Sequence, residues 1–191
     1  MIIVFGGTFN PVTKAHVEIA KKIEKEFNPE KIIILPTGNS YTWKKDFVDF
    51  SIRKKMLELV FKDDVYVISE LENSKNYEGT YQSLLKIKEE FKREVYFLLG
   101  ADNLLYLNKW INYEKIIEEF KLIVVKRDNI FIEKYILNNF EKQKNNFKMF
   151  DCNMPLSSSS FRTNPSKSEL VDEEVYQFIL KNNLYGVNNN V

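Results

Sequence analysis

His16 is the only histidine of the chain, and it stands in the opening stretch MIIVFGGTFNPVTKAH, after an apolar run, two glycines and a proline. The run Ile2–Phe5 reads as a strand. Gly6 and Gly7 allow positive φ and leave no side chain to block a ligand, and Pro11 stiffens the turn. Thr13 suits an N-cap whose hydroxyl accepts from the backbone amide of His16. His16 then lies in the first turn of a helix, beside unsatisfied N–H groups at the positive end of the helix dipole, which favours an anion. An imidazole there can donate to a phosphate oxygen and, when protonated, neutralise charge on a phosphoryl group. The helix end favours the neutral ring and a bound polyphosphate the protonated one; the sequence leaves that balance open. The same pattern also suits an ordinary helix with a packed or solvated histidine. It is neither the G-x-G-x-x-G dinucleotide fingerprint nor a P-loop, since no Gly-Lys-Ser/Thr follows.

A second unusual stretch, PLSSSSFR, spans residues 155–162. Serines after a strand and before an arginine supply hydroxyls and backbone amides at a helix start, with a planar guanidinium that suits phosphate. By itself the run reads equally as a serine-rich surface loop.

The elements that must position these residues follow from short apolar runs alternating with amphipathic ones. Strands are expected at IIVF (2–5), KIIILP (31–36), VYVIS (65–69), EVYFLLG (94–100), KLIVVKR (121–127) and, more weakly, FKMFD (147–151). They are continuously apolar, as parallel strands covered on both faces should be. Helical patterns fill 14–27, 50–61, 81–91, 113–120, 130–141 and 172–181; in the first, Ala15, Ile19, Ile23 and Phe27 form one stripe. Alternating strands and helices with right-handed crossovers predict an α/β fold, a three-layer doubly wound parallel sheet. Ligands in such sheets bind beyond the carboxyl ends of the strands, which gathers segments 6–16, 36–45, 100–110 and 155–162 at one rim.

Composition narrows the classes. The 191 residues suit a single domain, with a tail at 188–191 expected to fray. With 44% hydrophobic residues a substantial core can be buried. The 28 basic and 27 acidic residues leave a net charge of +1, so no global field attracts nucleic acid or an anionic membrane. A single cysteine, Cys152, allows no internal disulfide and no multi-cysteine metal site. The apolar run at the N-terminus is too short for a signal peptide, and no stretch approaches the roughly 20 apolar residues of a membrane span. A cytoplasmic protein is expected. Oligomeric state is left open.

Taken together, the GGTFNP…His16 segment and the serine–arginine run resemble the nucleotidyltransferase superfamily with the (H/T)-x-G-H motif. Thr13-Lys14-Ala15-His16 stands for that motif and residues 156–162, LSSSSFR, for I-S-S-T-x-I-R. Further segments resemble the nicotinate/nicotinamide mononucleotide adenylyltransferase family. GADNLLYLNKW (100–110) is similar to its G-x-D-x-L…W segment and GTYQSL (79–84) to Y-T-x-x-T-L. PTGNSYTWKK (36–45) is similar to P-x-G-D-x-Y…K, SIRKKML (51–57) to H-R-x-x-M-L, and residues 170–185 to the family's C-terminal helix. The chain departs from the pattern at Asn10, where many members carry Asp, and at Thr13, Ala15, Gly79, Ser83 and Ser159.

The resemblance implies a Rossmann-like nucleotidyltransferase fold and transfer of AMP from ATP to a pyridine mononucleotide with release of pyrophosphate. It implies phosphate-binding, catalytic roles for His16 and Arg162, with Ser158 and Ser159 completing the cradle. Gly6, Gly7, Thr8 and Phe9 would line the adenylate site, and Thr13 would hold the helix start. Asp102 would accept from ribose hydroxyls in the segment opened by Gly100, Trp110 would stack on the pyridine ring, and Thr80 and Tyr81 would contact its carboxyl end. Lys44 or Lys45 would reach the mononucleotide phosphate. Mg²⁺ would ride on the triphosphate rather than in a protein cage. Thr13 keeps pantetheine-phosphate adenylyltransferase open as a second substrate class, and a non-catalytic nucleotide-binding protein of the same fold is the remaining alternative. The choice between the acid and amide mononucleotides is not legible.

Overall fold

A computed structural model describes residues 1–40, 47–126, 131–152 and 158–187. Six strands, β1 (Ile2–Gly7), β2 (Lys31–Pro36), β3 (Tyr66–Ile68), β4 (Val95–Gly100), β5 (Lys121–Lys126) and β6 (Phe147–Asp151), form one sheet in the order β3-β2-β1-β4-β5-β6. Every pairing is parallel. The winding reverses between β1 and β4, and the crevice at that switch point is where such sheets bind ligands.

The helices are α1 (Lys14–Phe27), α2 (Phe50–Val60), α3 (Thr80–Phe91), α4 (Ala101–Leu104), α5 (Tyr113–Glu119), α6 (Ile132–Asn139), α7 (Ser158–Thr163) and α8 (Glu173–Lys181). Side chains of a strand alternate between faces, and β1 divides accordingly. Ile3 and Phe5 pack with Ile19 and Ile23 of α1, Met56 and Leu57 of α2, and Val175 and Ile179 of α8. Ile2 and Val4 pack with Leu84 and Ile87 of α3, Ile116 of α5, and Ile132 and Ile136 of α6. The sheet is therefore covered on both faces, which is why its strands read as unbroken apolar runs.

Two expected boundaries move for reasons that bear on function. β1 runs on to Gly7 because Gly6 and Gly7 remain in the ladder, paired with Leu35 and Pro36 of β2. α3 starts at Thr80, one residue earlier than its apolar pattern suggests, with Gly79 as N-cap. No helix among the described residues is long and apolar enough to cross a membrane.

Candidate active site

The turn after β1 delivers the lone histidine. Thr13, in extended conformation, caps α1 and forms a capping box with His16 at the third helical position. The backbone N–H of Thr13 donates to His16 Nδ1 at 3.0 Å, and Thr13 Oγ1 lies 2.8 Å from the same nitrogen. A backbone N–H can only donate, so Nδ1 accepts and the neutral ring carries its proton on Nε2. Phe9 fixes the ring from one side, edge-on at 5.1 Å between centroids.

The two glycines serve differently from expectation. Neither adopts positive φ; in this turn that conformation falls to Phe9, at φ 48°. What excludes a side chain is proximity. A Cβ on Gly6 would come 2.8 Å from the Phe97 ring, and one on Gly7 would come 3.1 Å from the Phe9 ring. The Phe9 side chain is itself buried, 1% exposed, in the core. It therefore supports His16 from beneath, and its side chain is not offered to the open side of the turn.

The serine–arginine run comes to the same turn from the far end of the chain. Ser158 Oγ, at the start of α7, donates to the Pro11 carbonyl at 2.7 Å. Arg162 donates through Nη1 to the Asn10 carbonyl at 2.6 Å and through Nη2 to Ser159 Oγ at 3.2 Å. Phe161 anchors α7 in the core, fully buried. Thus His16, Ser158, Ser159 and Arg162 gather around residues 10–16 although about 150 positions separate the segments.

Beside this turn a cavity opens between the ends of β1 and β4, lined by Gly6, Gly7 and Thr8 on one side and Trp110 and Ile111 on the other. Trp110 is half-buried and meets Phe97 edge-on at 6.0 Å. Thr80 lines the cavity, but Tyr81 does not. Successive helical residues point about 100° apart, and Tyr81 turns into the core, its hydroxyl donating to Glu119 at 2.9 Å and its ring edge-on to Phe120. The Tyr81 side chain therefore faces away from the cavity that Thr80 lines. Asp102 is exposed, in the first turn of the four-residue helix α4, and its neighbour Asn103 is the one that lines the cavity. Around Gly100 an added Cβ would meet nothing within 4 Å. Lys44 and Lys45 lie outside the described residues.

Four further residues build the site without a role assigned from the sequence, although Asn10, Arg53 and Tyr185 fall within its motif segments. Asn10, 3% exposed, offers its carbonyl to Arg162, while its Oδ1 accepts from the Tyr185 hydroxyl at 2.8 Å and the Val48 N–H at 3.3 Å. Tyr185 thereby ties the C-terminal segment to the turn; burial raises its phenol well above the usual range, against the pull of Arg53 and Arg162. Arg53 of α2 is fully buried and donates to the Thr8 and Val48 carbonyls, each at 2.9 Å. Burial lowers its pKa. The fourth is Glu72, a buried carboxyl in the cavity wall.

The cytidylyltransferase-like family model matches residues 4–164. A protein of Acholeplasma laidlawii named "Probable nicotinate-nucleotide adenylyltransferase" is 39% identical over 191 residues, covering 97% of each chain. One of Clostridium tetani with the same name is 32% identical, over 95% of this chain and 97% of its own. Among solved structures, Plasmodium falciparum nicotinic acid mononucleotide adenylyltransferase, complexed with APC or with NaAD, shares the fold at a TM-score of 0.78 and 24% identity, with 98% of each chain covered. With the family match spanning the turn, the cavity and α7, this chain belongs to the cytidylyltransferase-like family, on the branch of the nicotinate-nucleotide adenylyltransferases.

Proposed function

We propose that the protein transfers AMP from ATP to nicotinate mononucleotide, forming deamido-NAD and pyrophosphate. The observation that carries this reading is the meeting of His16 and Arg162 at one turn, through Thr13 and Asn10, beside a cavity walled by Trp110. One end of that arrangement suits a polyphosphate and the other a flat aromatic ring.

In this reading an oxygen of the mononucleotide 5′-phosphate attacks the α-phosphorus of ATP as the bond from that phosphorus to the β-phosphate oxygen breaks. Pyrophosphate departs with the electron pair. The nucleophile is already an anion near neutral pH, so no general base is required, and the protein supplies alignment and charge stabilisation. His16 donates from Nε2 to the triphosphate and Arg162 adds its guanidinium, with Ser158 and Ser159 beside them. Gly6, Gly7, Thr8 and the backbone of Phe9 border the adenylate, and Thr13 holds the imidazole in register. Trp110 stacks on the pyridine, Thr80 sits at its far end, and Gly100 and Asp102 serve the sugar. Lys44 or Lys45 meets the mononucleotide phosphate. Mg²⁺ accompanying ATP would supply further charge neutralisation on the triphosphate, beside the donors of His16 and Arg162. One nucleotidyltransferase domain carries both substrates.

Incubation of the purified protein with Mg-ATP and nicotinate mononucleotide tests the reading. Stoichiometric pyrophosphate and deamido-NAD are expected; absence of both overturns it.

A further inference from the structure

The cavity holds a carboxyl group that the phosphate chemistry does not use. Glu72 is 3% exposed and lines the cavity together with Thr37, Tyr77, Thr80 and Trp110. Its place is fixed twice. The loop carrying it is pressed against the end of β2, where an added Cβ on Gly38 would come 1.8 Å from the Glu72 carbonyl oxygen. Thr80 Oγ1 donates to Glu72 Oε1 at 2.9 Å, and the Tyr77 hydroxyl lies 3.3 Å from that same Thr80 oxygen. Thr37 Oγ1, also in the wall, is buried and finds no hydrogen-bond partner among the described residues. The cavity is thus polar at this end and awaits a ligand group that can exchange hydrogen bonds.

The charge around Glu72 is unusually spare. Among the described lining residues there is no Lys, Arg or His, and Tyr77 is the other titratable group. The charged neighbours in its own loop turn away: Glu70 pairs with Lys54, Glu78 with Lys86, and Lys75 is exposed. The β2 end, the β1 end and the first turn of α3 present Thr37, Gly7, Thr8 and Thr80, none of them charged. Burial pushes the Glu72 carboxyl up to about 7, opposed only by the hydrogen bond from Thr80.

This matters because the two pyridine mononucleotides differ in one group. The acid carries a carboxylate, which only accepts; the amide carries a carboxamide, which also donates. We propose that Glu72 reads this substituent, its protonated carboxyl donating to the carboxylate of the acid mononucleotide and its ionised form accepting from the carboxamide N–H of the amide. The proposal rests on the adenylyltransferase reading, with the pyridine ring against Trp110. An ionised Glu72 would face the acid substrate with a like charge from a buried position in the wall, where repulsion is stronger than in open water. Binding of the acid form therefore selects the protonated enzyme, and selectivity drifts toward the amide as pH rises.

The test is the ratio of kcat/KM for nicotinate over nicotinamide mononucleotide between pH 5.5 and 9. The mononucleotide 5′-phosphate, the ATP and the groups on His16 and Arg162 are common to both reactions, so their titrations cancel in the ratio. For the wild type the ratio should fall, approaching tenfold per pH unit above neutrality. In Glu72→Gln, which offers both a donor and an acceptor at every pH, the ratio should be flat. Dinucleotide formation with a flat wild-type ratio, or an unchanged slope in the variant, overturns the role of Glu72 while leaving the activity intact. If Glu72→Gln fails to fold, the wild-type slope alone decides. No dinucleotide from either mononucleotide at any pH overturns both readings.

Discussion

The backbone N–H of Thr13 donates to Nδ1 of His16 at 3.0 Å, so one imidazole serves both the helix and the proposed triphosphate site. Nδ1 closes the start of α1, and the Nε2 proton is the one assigned to a phosphate. The two duties can be separated by substitution. In His16→Asn the amide oxygen stands roughly where Nδ1 does and keeps the acceptor for Thr13, but no donor reaches the place of Nε2. Turnover should fall roughly 10²-fold or more, the scale of one preorganised donor, with Tm within a few degrees of wild type. His16→Ala should lose the same activity and also about 1 kcal/mol of capping energy. Unchanged kcat in the Asn variant would take His16 out of the mechanism.

Arg162 is exposed, yet it touches the Asn10 carbonyl and Ser159 Oγ with different nitrogens. A lysine carries the same charge on a single point and cannot keep that fork. Arg162→Lys should therefore lower kcat/KM for ATP by roughly tenfold or more, since charge-assisted forked bonds are the strong ones. Chemical denaturation should be nearly unaffected, because the helix is anchored by Phe161. Wild-type kinetics in the lysine variant would mean that only net charge matters here.

Trp110 has two possible partners, Phe97 beneath it and a pyridine ring in the cavity. Stacking of a base on an aromatic side chain contributes roughly 1–3 kcal/mol by alanine substitution. Trp110→Ala should accordingly raise KM for the mononucleotide roughly tenfold to a hundredfold and leave KM for ATP within about twofold. Equal losses for both substrates would assign Trp110 to the core.

The sheet was legible because strands buried on both faces read as unbroken apolar runs, and the ends of those runs point to one rim. The turn that carries His16 and its serine–arginine partner were legible because they are built from local signals, a Gly-Gly turn, a cap and a serine run. Facing direction was not. Tyr81 and Thr80 are neighbours in sequence, but 100° of helical rotation sends one to Glu119 and the other to the cavity. The constraint at Gly6 and Gly7 was not legible either: the rings a Cβ would meet come from Phe97 and Phe9, which only the folded sheet brings there. Asn10 stood out as a departure from Asp, though its partners Arg162 and Tyr185 lie at the other end of the chain. Glu72 gave no signal, since an acid in ELENSKN reads as a solvated loop. Its burial comes from packing against the distant Gly38 and from the hydrogen bond that Thr80, at the start of the next helix, gives it.

Burying that carboxyl has a measurable cost independent of any substrate. Glu72 rises from an ordinary 4.5 to about 7 on folding, chiefly through burial. Between those values the native state holds more protons than the unfolded chain, so this group makes stability fall as pH rises through the window, and above it the loss stays constant. A shift of that size corresponds to at most about 3 kcal/mol. Glu72→Gln removes the titration while keeping the acceptor for Thr80, and every other titrating group is shared by the two proteins. Urea denaturation of both at pH 5 and pH 8 should show the variant gaining on the wild type at the higher pH by up to about 3 kcal/mol. A stability difference that is the same at both values would mean that Glu72 ionises without penalty, and its carboxyl would then be solvated rather than enclosed in the cavity wall.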